Sequence, residues 1–176
     1  MAKQDTPFAD VLETSVLDPL PHPSPVPLRT ERYQEVLASI RGLLDGETDP
    51  TLMMATVACE LHHAFASYDW TGFYRVVDGG LVIGPYQGTV GCLRIDFGRG
   101  VCGTAAQTGE TQVVPDVHEF PGHIACDPNS QSEIVVPVRD PSGELIAVLD
   151  IDSERLGWFD EEDRIQLEKI LGEVFG

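Results

Sequence analysis

The stretch EIVVPVRDPSGELIAVLDID, residues 133–152, decides the fold. Glu133–Val138 and Leu145–Asp152 are strand-length runs of β-branched and aliphatic residues, and Asp140-Pro141-Ser142-Gly143 between them has turn composition. Strands joined by so tight a reversal pair antiparallel. Side chains alternate along a strand, so Asp150 and Asp152 point to one face of a run that otherwise reads as buried.

Working towards the N-terminus, Trp70–Val77 and Leu81–Tyr86 form a second hairpin around Asp78-Gly79-Gly80. Trp70 and Tyr74, four apart, share a strand face there and wall a pocket or pack a core. Between the hairpins, Gly88, Gly91, Gly98, Gly100 and Gly103 punctuate a loose segment around Cys92. Gly100–Thr108 reads as a short helix stopped by Gly109, followed by a strand at Thr111–Val114. Pro115–Ser132 has no useful periodicity, and loops of that length in compact domains are commonly functional.

Helices close the pattern at both ends. From Thr30, Tyr33, Val36, Leu37, Ile40, Leu43 and Leu44 recur at helical intervals up to Asp45-Gly46. A second helix opens at Asp49-Pro50 and carries Leu52, Met53, Val57, Leu61 and Phe65 on one face, with Cys59 as a packing thiol. A third opens at the acidic segment Asp160–Asp163 and carries Ile165, Leu167, Ile170, Leu171 and Val174. This order predicts an α+β domain, a central antiparallel sheet flanked by helices, over residues 30–176. Residues 1–29 hold Pro7, Pro19, Pro21, Pro23, Pro25 and Pro27 and read as a tail, extended or disordered. Its apolar residues Phe8, Val11, Leu12, Val16 and Leu17 suit a short helix against the body or a second subunit, which would give a homodimer.

At 176 residues the chain fills one core. Its formal net charge of −18 repels phosphate backbones and anionic lipid surfaces, so neither nucleic acid nor membrane is an expected partner. No apolar run suits a membrane span or a secretory signal, and the expected compartment is the cytoplasm. There, four cysteines are free thiols, metal ligands or redox residues rather than permanent staples.

Near the start of its helix Cys102 meets backbone N–H groups and the positive end of the dipole, which lower a thiol's pKa. Beside Cys126 stands Asp127, which raises it, so electrostatics alone selects Cys102 as the reactive thiol. Cys92, in a glycine-flanked loop, is within reach of either, so at least two of the three are candidates for a redox pair. The rival is a metal site of Cys92, Cys102 and Cys126 with His118 or His123, but the spacing lacks the close cysteine pairs of structural zinc sites, and no metal is expected. Both histidines read as loop residues with local hydrogen bonds. Glu133, Asp150 and Asp152 converging in a cleft would pair with an ammonium group, and crowding would leave at least one carboxyl protonated.

DWTGFY at 69–74, GPYQG at 84–88, GVCGTAAQTGETQVVPDVHEFPGHIACD at 100–127, SEIVVPV at 132–138 and LDIDSERLGWFDEED at 149–163 closely resemble the free methionine-R-sulfoxide reductases, a family built on a single GAF domain. The resemblance spans roughly residues 30–176. It implies reduction of free methionine-R-sulfoxide with no bound cofactor, thioredoxin restoring the enzyme. Cys126 would be the nucleophile and Cys92 its resolving partner, with Cys102 a second or alternate one. Glu133, Asp150 and Asp152 would hold the ammonium and protonate the sulfoxide oxygen, Trp70 and Tyr74 would enclose the methyl group, and backbone N–H groups near Ile124, Ala125 and Cys126 would receive the carboxylate. The resemblance thus replaces Cys102 by Cys126 as nucleophile. The alternative function is a GAF-type sensor that binds a small ligand or reports redox state without turnover.

Overall fold

The computed structural model describes residues 18–21, 24–124 and 126–176. The expected contacts of Phe8, Val11, Leu12, Val16 and Leu17 lie outside these residues. In chain order the elements are α1 (Val26–Leu43), α2 (Pro50–Ala64), β1 (Trp70–Val77), β2 (Gly80–Gln87), β3 (Arg94–Asp96), α3 (Gly100–Thr108), β4 (Gln112–Val114), a 3-10 turn at Val117–Glu119, β5 (Ser132–Arg139), β6 (Leu145–Ser153) and α4 (Glu161–Phe175). The six strands form one sheet of order β3-β2-β1-β6-β5-β4, and every neighbouring pair is antiparallel.

Strand alternation divides the interior in two. Ile134, Val136 and Val138 of β5, Ala147, Leu149 and Ile151 of β6 and Phe73 of β1 face a core closed by α1, α2 and α4. Val135, Val148 and Tyr74 face the opposite side, against Val101, Cys102, Ala105 and Ala106 of α3. Asp150, Asp152 and Glu133 have the parity of this second face, so the two-residue repeat delivers all three carboxyls to the side where α3 and the long loops lie.

Local signals set most boundaries. Asp49 caps α2 by accepting from the N–H groups of Thr51 and Leu52. Gly109 ends α3 in the left-handed conformation. Asp160 and Asp163 form a reciprocal capping box at the start of α4.

Three sequence expectations change. Helix α1 begins at Val26 rather than Thr30, because Pro27 falls in the first turn, where its missing N–H costs nothing. Before it, the Leu20 N–H donates to the Ala64 carbonyl at 2.8 Å and the Ala66 N–H to the Leu20 carbonyl at 3.0 Å, so this part of the proline-rich segment is docked on the body. Leu52 and Ile165 are 42% and 45% exposed, lying off the stripes set by Met54, Val57 and Leu61 in α2 and by Leu167, Ile170 and Leu171 in α4. Finally, Arg94–Asp96 is a strand, its Ile95 paired with Leu81, where the glycine-rich composition suggested only loose chain.

Candidate active site

On the second sheet face, neighbouring strands bring the functional side chains into rows. Trp70, Asp152 and Glu133 are register partners across β1, β6 and β5, and Gly72, Asp150 and Val135 form the next row. Above them lies a narrow cleft lined by these three acids, Arg99–Cys102 at the start of α3, and His123, Ile124, Cys126, Asp127 and Ser130 of the long loop. Fold and loop together make a half-open acidic pocket with sulfur at its edge.

Cys92 and Cys126 are joined in a disulfide, with Cα atoms 5.2 Å apart. The loop carrying Cys92 is tied to the long loop a second time, by the Thr89 hydroxyl donating to Asp127 at 2.7 Å. Trp70 and Tyr74 lie on the same sheet face, stacked at 5.8 Å, with Tyr86 stacked on Trp70 at 5.4 Å. The loop covers them: the Trp70 indole N–H donates to the Thr89 carbonyl at 2.9 Å, and a side chain at Gly91 would meet the Tyr74 hydroxyl. Both rings are buried beside the cleft rather than lining it.

Cys102 is a free, buried thiol whose sulfur donates to Glu133 Oε1 at 3.7 Å. It does sit in the first turn of α3, but burial and the neighbouring Asp150 and Glu133 push its pKa well up. This overturns the electrostatic choice of Cys102 as the reactive thiol: its side chain points into a cluster of acids. Cys59 is half-buried on α2 against His63.

Burial governs the acids as well. Asp150, 5% exposed, is pushed up to about 6. Glu133 is raised well above the carboxylate range by burial and then by Asp150 and Asp152, and Asp152 by burial and then by Asp150. Among the described residues no ion pair involves any of the three, and Asp150 Oδ1 has no hydrogen-bond partner. Burial thus raises the proton affinity of all three acids and leaves Asp150, which lines the cleft, with an unsatisfied acceptor.

Ile124 lines the cleft, Ala125 lies outside the described residues, and the Cys126 N–H donates to the Ile124 carbonyl at 2.9 Å. Of the two histidines, His118 bonds Asp116 at 2.9 Å, whereas His123 reaches the cleft, its pKa lowered by burial and by His118. Sequence reading missed Arg99, Ser130 and Tyr86. GPYQG already pointed to Tyr86, but no local signal placed Arg99 or Ser130 over the acids.

This fold is that of a GAF domain, and residues 30–174 match the family described as GAF domain. The chain is 43% identical over 150 residues to the free methionine-R-sulfoxide reductase of Escherichia coli, covering 81% of this chain and 90% of that one. It is 42% identical over 149 residues to the enzyme of the same name from Saccharomyces cerevisiae, covering 81% and 83%. The X-ray structure of free methionine-R-sulfoxide reductase from Neisseria meningitidis in complex with its substrate superposes with a TM-score of 0.78, at 44% identity over 83% of this chain and 87% of that one. The chain belongs to the free methionine-R-sulfoxide reductase family of GAF-domain proteins.

Proposed function

We propose that this protein reduces free L-methionine-R-sulfoxide to methionine, with Cys126 as nucleophile, Cys92 as resolving residue and thioredoxin as external reductant. One observation carries the reading: a disulfide between Cys92 and Cys126 stands at the edge of a cleft floored by three carboxyls of raised proton affinity. The names of the relatives supply the substrate class.

The chemistry balances in three steps. The Cys126 sulfur bonds to the sulfoxide sulfur while the protonated oxygen leaves as water; a water molecule then attacks the Cys126 sulfur, the S–S bond breaks with its electron pair going to the substrate sulfur, and methionine leaves with Cys126 as a sulfenic acid. The Cys92 thiol then displaces the sulfenic oxygen as water and forms the disulfide. A dithiol reductant, thioredoxin in the cytoplasm, returns both sulfurs to thiols and becomes a disulfide itself.

Glu133, Asp150 and Asp152 divide two tasks. A carboxyl still protonated near neutrality donates to the sulfoxide oxygen, which makes that oxygen a better leaving group. An ionised one pairs with the substrate ammonium, and Asp150, with its unsatisfied oxygen, suits that task. Peptide-bound sulfoxide has no free ammonium to offer. Arg99, exposed at the rim, suits the substrate carboxylate, and Trp70 and Tyr74, stacked beside the cleft under the Thr89 loop, would enclose the methyl group once reduction of the disulfide frees that loop.

The test is thioredoxin-coupled NADPH consumption on the separate R and S epimers of free methionine sulfoxide, with wild type and Cys126→Ser. R-selective turnover abolished by the substitution is expected. Turnover that survives it would move the attack to another cysteine, and no turnover by wild type would favour the sensor.

A further inference from the structure

Cys102, Glu133 and Asp150 come from α3, β5 and β6, and one donor atom of each lies within 4.8 Å of the other two, all three side chains being buried. Helix and sheet hold the arrangement, so it does not depend on the conformation of the long loop. Asp150 Oδ1, in a residue 95% buried, lacks a hydrogen-bond partner. A buried acceptor without a donor is costly, and a cluster of acids with no ion-pair partner is relieved by a cation.

The donor set selects the cation. One thiolate and two carboxylates suit zinc, at bond lengths of about 2.3 Å to sulfur and 2.0–2.2 Å to oxygen. Tetrahedral angles then place donors roughly 3.3–3.8 Å apart, and the Cys102 sulfur to Glu133 separation is 3.7 Å. Magnesium and calcium demand oxygen donors and gain nothing from the sulfur.

We propose that Cys102, Glu133 and Asp150 form a site for a thiophilic divalent cation, zinc in the cell, whose fourth position opens into the cleft. On binding, the metal–sulfur bond replaces the Cys102 S–H bond, and that proton leaves to solvent together with any proton held by Glu133 or Asp150. Because Glu133 and Asp150 are then engaged, the metal excludes the substrate ammonium and inhibits the enzyme. The exclusion rests on the substrate reading above; the binding does not.

Cadmium is the probe, because a cadmium–thiolate bond gives an ultraviolet charge-transfer band that oxygen donors do not. In the oxidised protein carrying Cys59→Ser, Cys102 is the one free thiol. One equivalent of cadmium is expected to raise the band to saturation. Cys102→Ser on this background abolishes the band, and Asp150→Asn keeps it while weakening binding at least 10-fold. No band, or unchanged affinity in Asp150→Asn, overturns the site, and Asp150→Asn decides the matter alone if Cys102→Ser does not fold. With Cys92→Ser and Cys126→Ser added to open the disulfide, free methionine-R-sulfoxide is expected to raise the apparent cadmium Kd in proportion to its concentration. Cadmium binding that is indifferent to sulfoxide overturns the inhibition and leaves the metal site standing.

Discussion

Glu133 and Asp152 stand directly opposite one another on β5 and β6, two acids in one cross-strand pair, with Asp150 two residues further along the same face. Like charges so placed destabilise a sheet, and burial adds to the cost. The cluster is therefore tolerable chiefly with protons bound. That arrangement suits proton donation to a sulfoxide and sacrifices stability at neutral pH.

The sign of the pH effect follows from Asp150. Its folded-state pKa, about 6, lies above the roughly 3.9 of an unfolded aspartate. Such a group contributes stability that is full below the unfolded pKa and is lost as pH rises through 6. Asp150→Asn should therefore raise stability by roughly 2–3 kcal/mol at pH 7, or several degrees in Tm, and by well under roughly 1 kcal/mol at pH 4. Thermal unfolding of both proteins at the two pH values is the measurement; an equal difference at both would remove the titration argument.

The floor of the site was legible in the sequence because strand alternation and cross-strand pairing are short-range rules. Asp150 and Asp152 shared a face from their spacing alone, and the turn at Asp140–Gly143 joined their strand to that of Glu133. The roof was not legible. Arg99 and Ser130 arrive over the acids through glycine-rich and irregular segments with no period to read, and β3 is a three-residue edge strand whose pairing with β2 is a tertiary fact. Cys102 misled electrostatic reasoning because a helix start is visible in sequence, whereas burial against Glu133 and Asp150 is not. The start of α1 was missed because prolines that break a helix interior are compatible with its first turn.

The two bonded cysteines should separate kinetically. Cys92→Ser is expected to release one equivalent of methionine per enzyme and then stall, leaving a Cys126 sulfenic acid that dimedone labels, as mass spectrometry would detect. Cys126→Ser should release none. Cys59→Ser, altering a half-buried thiol on α2 away from the cleft, should leave kcat and KM unchanged. A large loss of rate with the fold retained would bring Cys59 into the mechanism.

Arg99 tests recognition of the substrate's other end. If the rim guanidinium receives the carboxylate, Arg99→Ala should raise KM about 10-fold or more with little change in kcat, since such contacts to a charged group contribute about 1.5–3 kcal/mol. Steady-state kinetics would decide it. A fall in kcat at constant KM would instead place Arg99 in the chemical step.

Gly72 stands where the sheet passes beneath the aromatic stack. A methyl group there would lie 2.4 Å from Tyr86 Cβ and 2.6 Å from the Trp70 ring, distances that real Cβ contacts essentially never reach. Gly72→Ala should therefore cost roughly 1–3 kcal/mol through overpacking and shift the tryptophan fluorescence as the stack is displaced. Chemical denaturation followed by that fluorescence reads both effects. An unchanged midpoint would mean that β1 and β2 move apart there more easily than their pairing suggests.

Arg29 fastens the first turn of α1 to the start of α4. Its guanidinium donates to Asp163 at 2.6 Å and also pairs with Asp160, while Asp163, 1% exposed, accepts from the Tyr33 hydroxyl at 2.9 Å. Burial raises the Asp163 pKa, and Arg29 opposes that rise. Arg29→Met would leave the carboxylate buried without its cation, a change that costs about 3–5 kcal/mol, or roughly 10 °C in Tm for a chain of this size. Adding Asp163→Asn removes the stranded charge and keeps an acceptor for the Asp160 N–H, so the double variant should recover part of the loss. Neither residue lines the cleft, so turnover at 25 °C should persist in both variants. If the two losses simply add, Arg29 and Asp163 are not coupled, and α1 is held chiefly by its apolar face of Tyr33, Val36, Leu37 and Ile40.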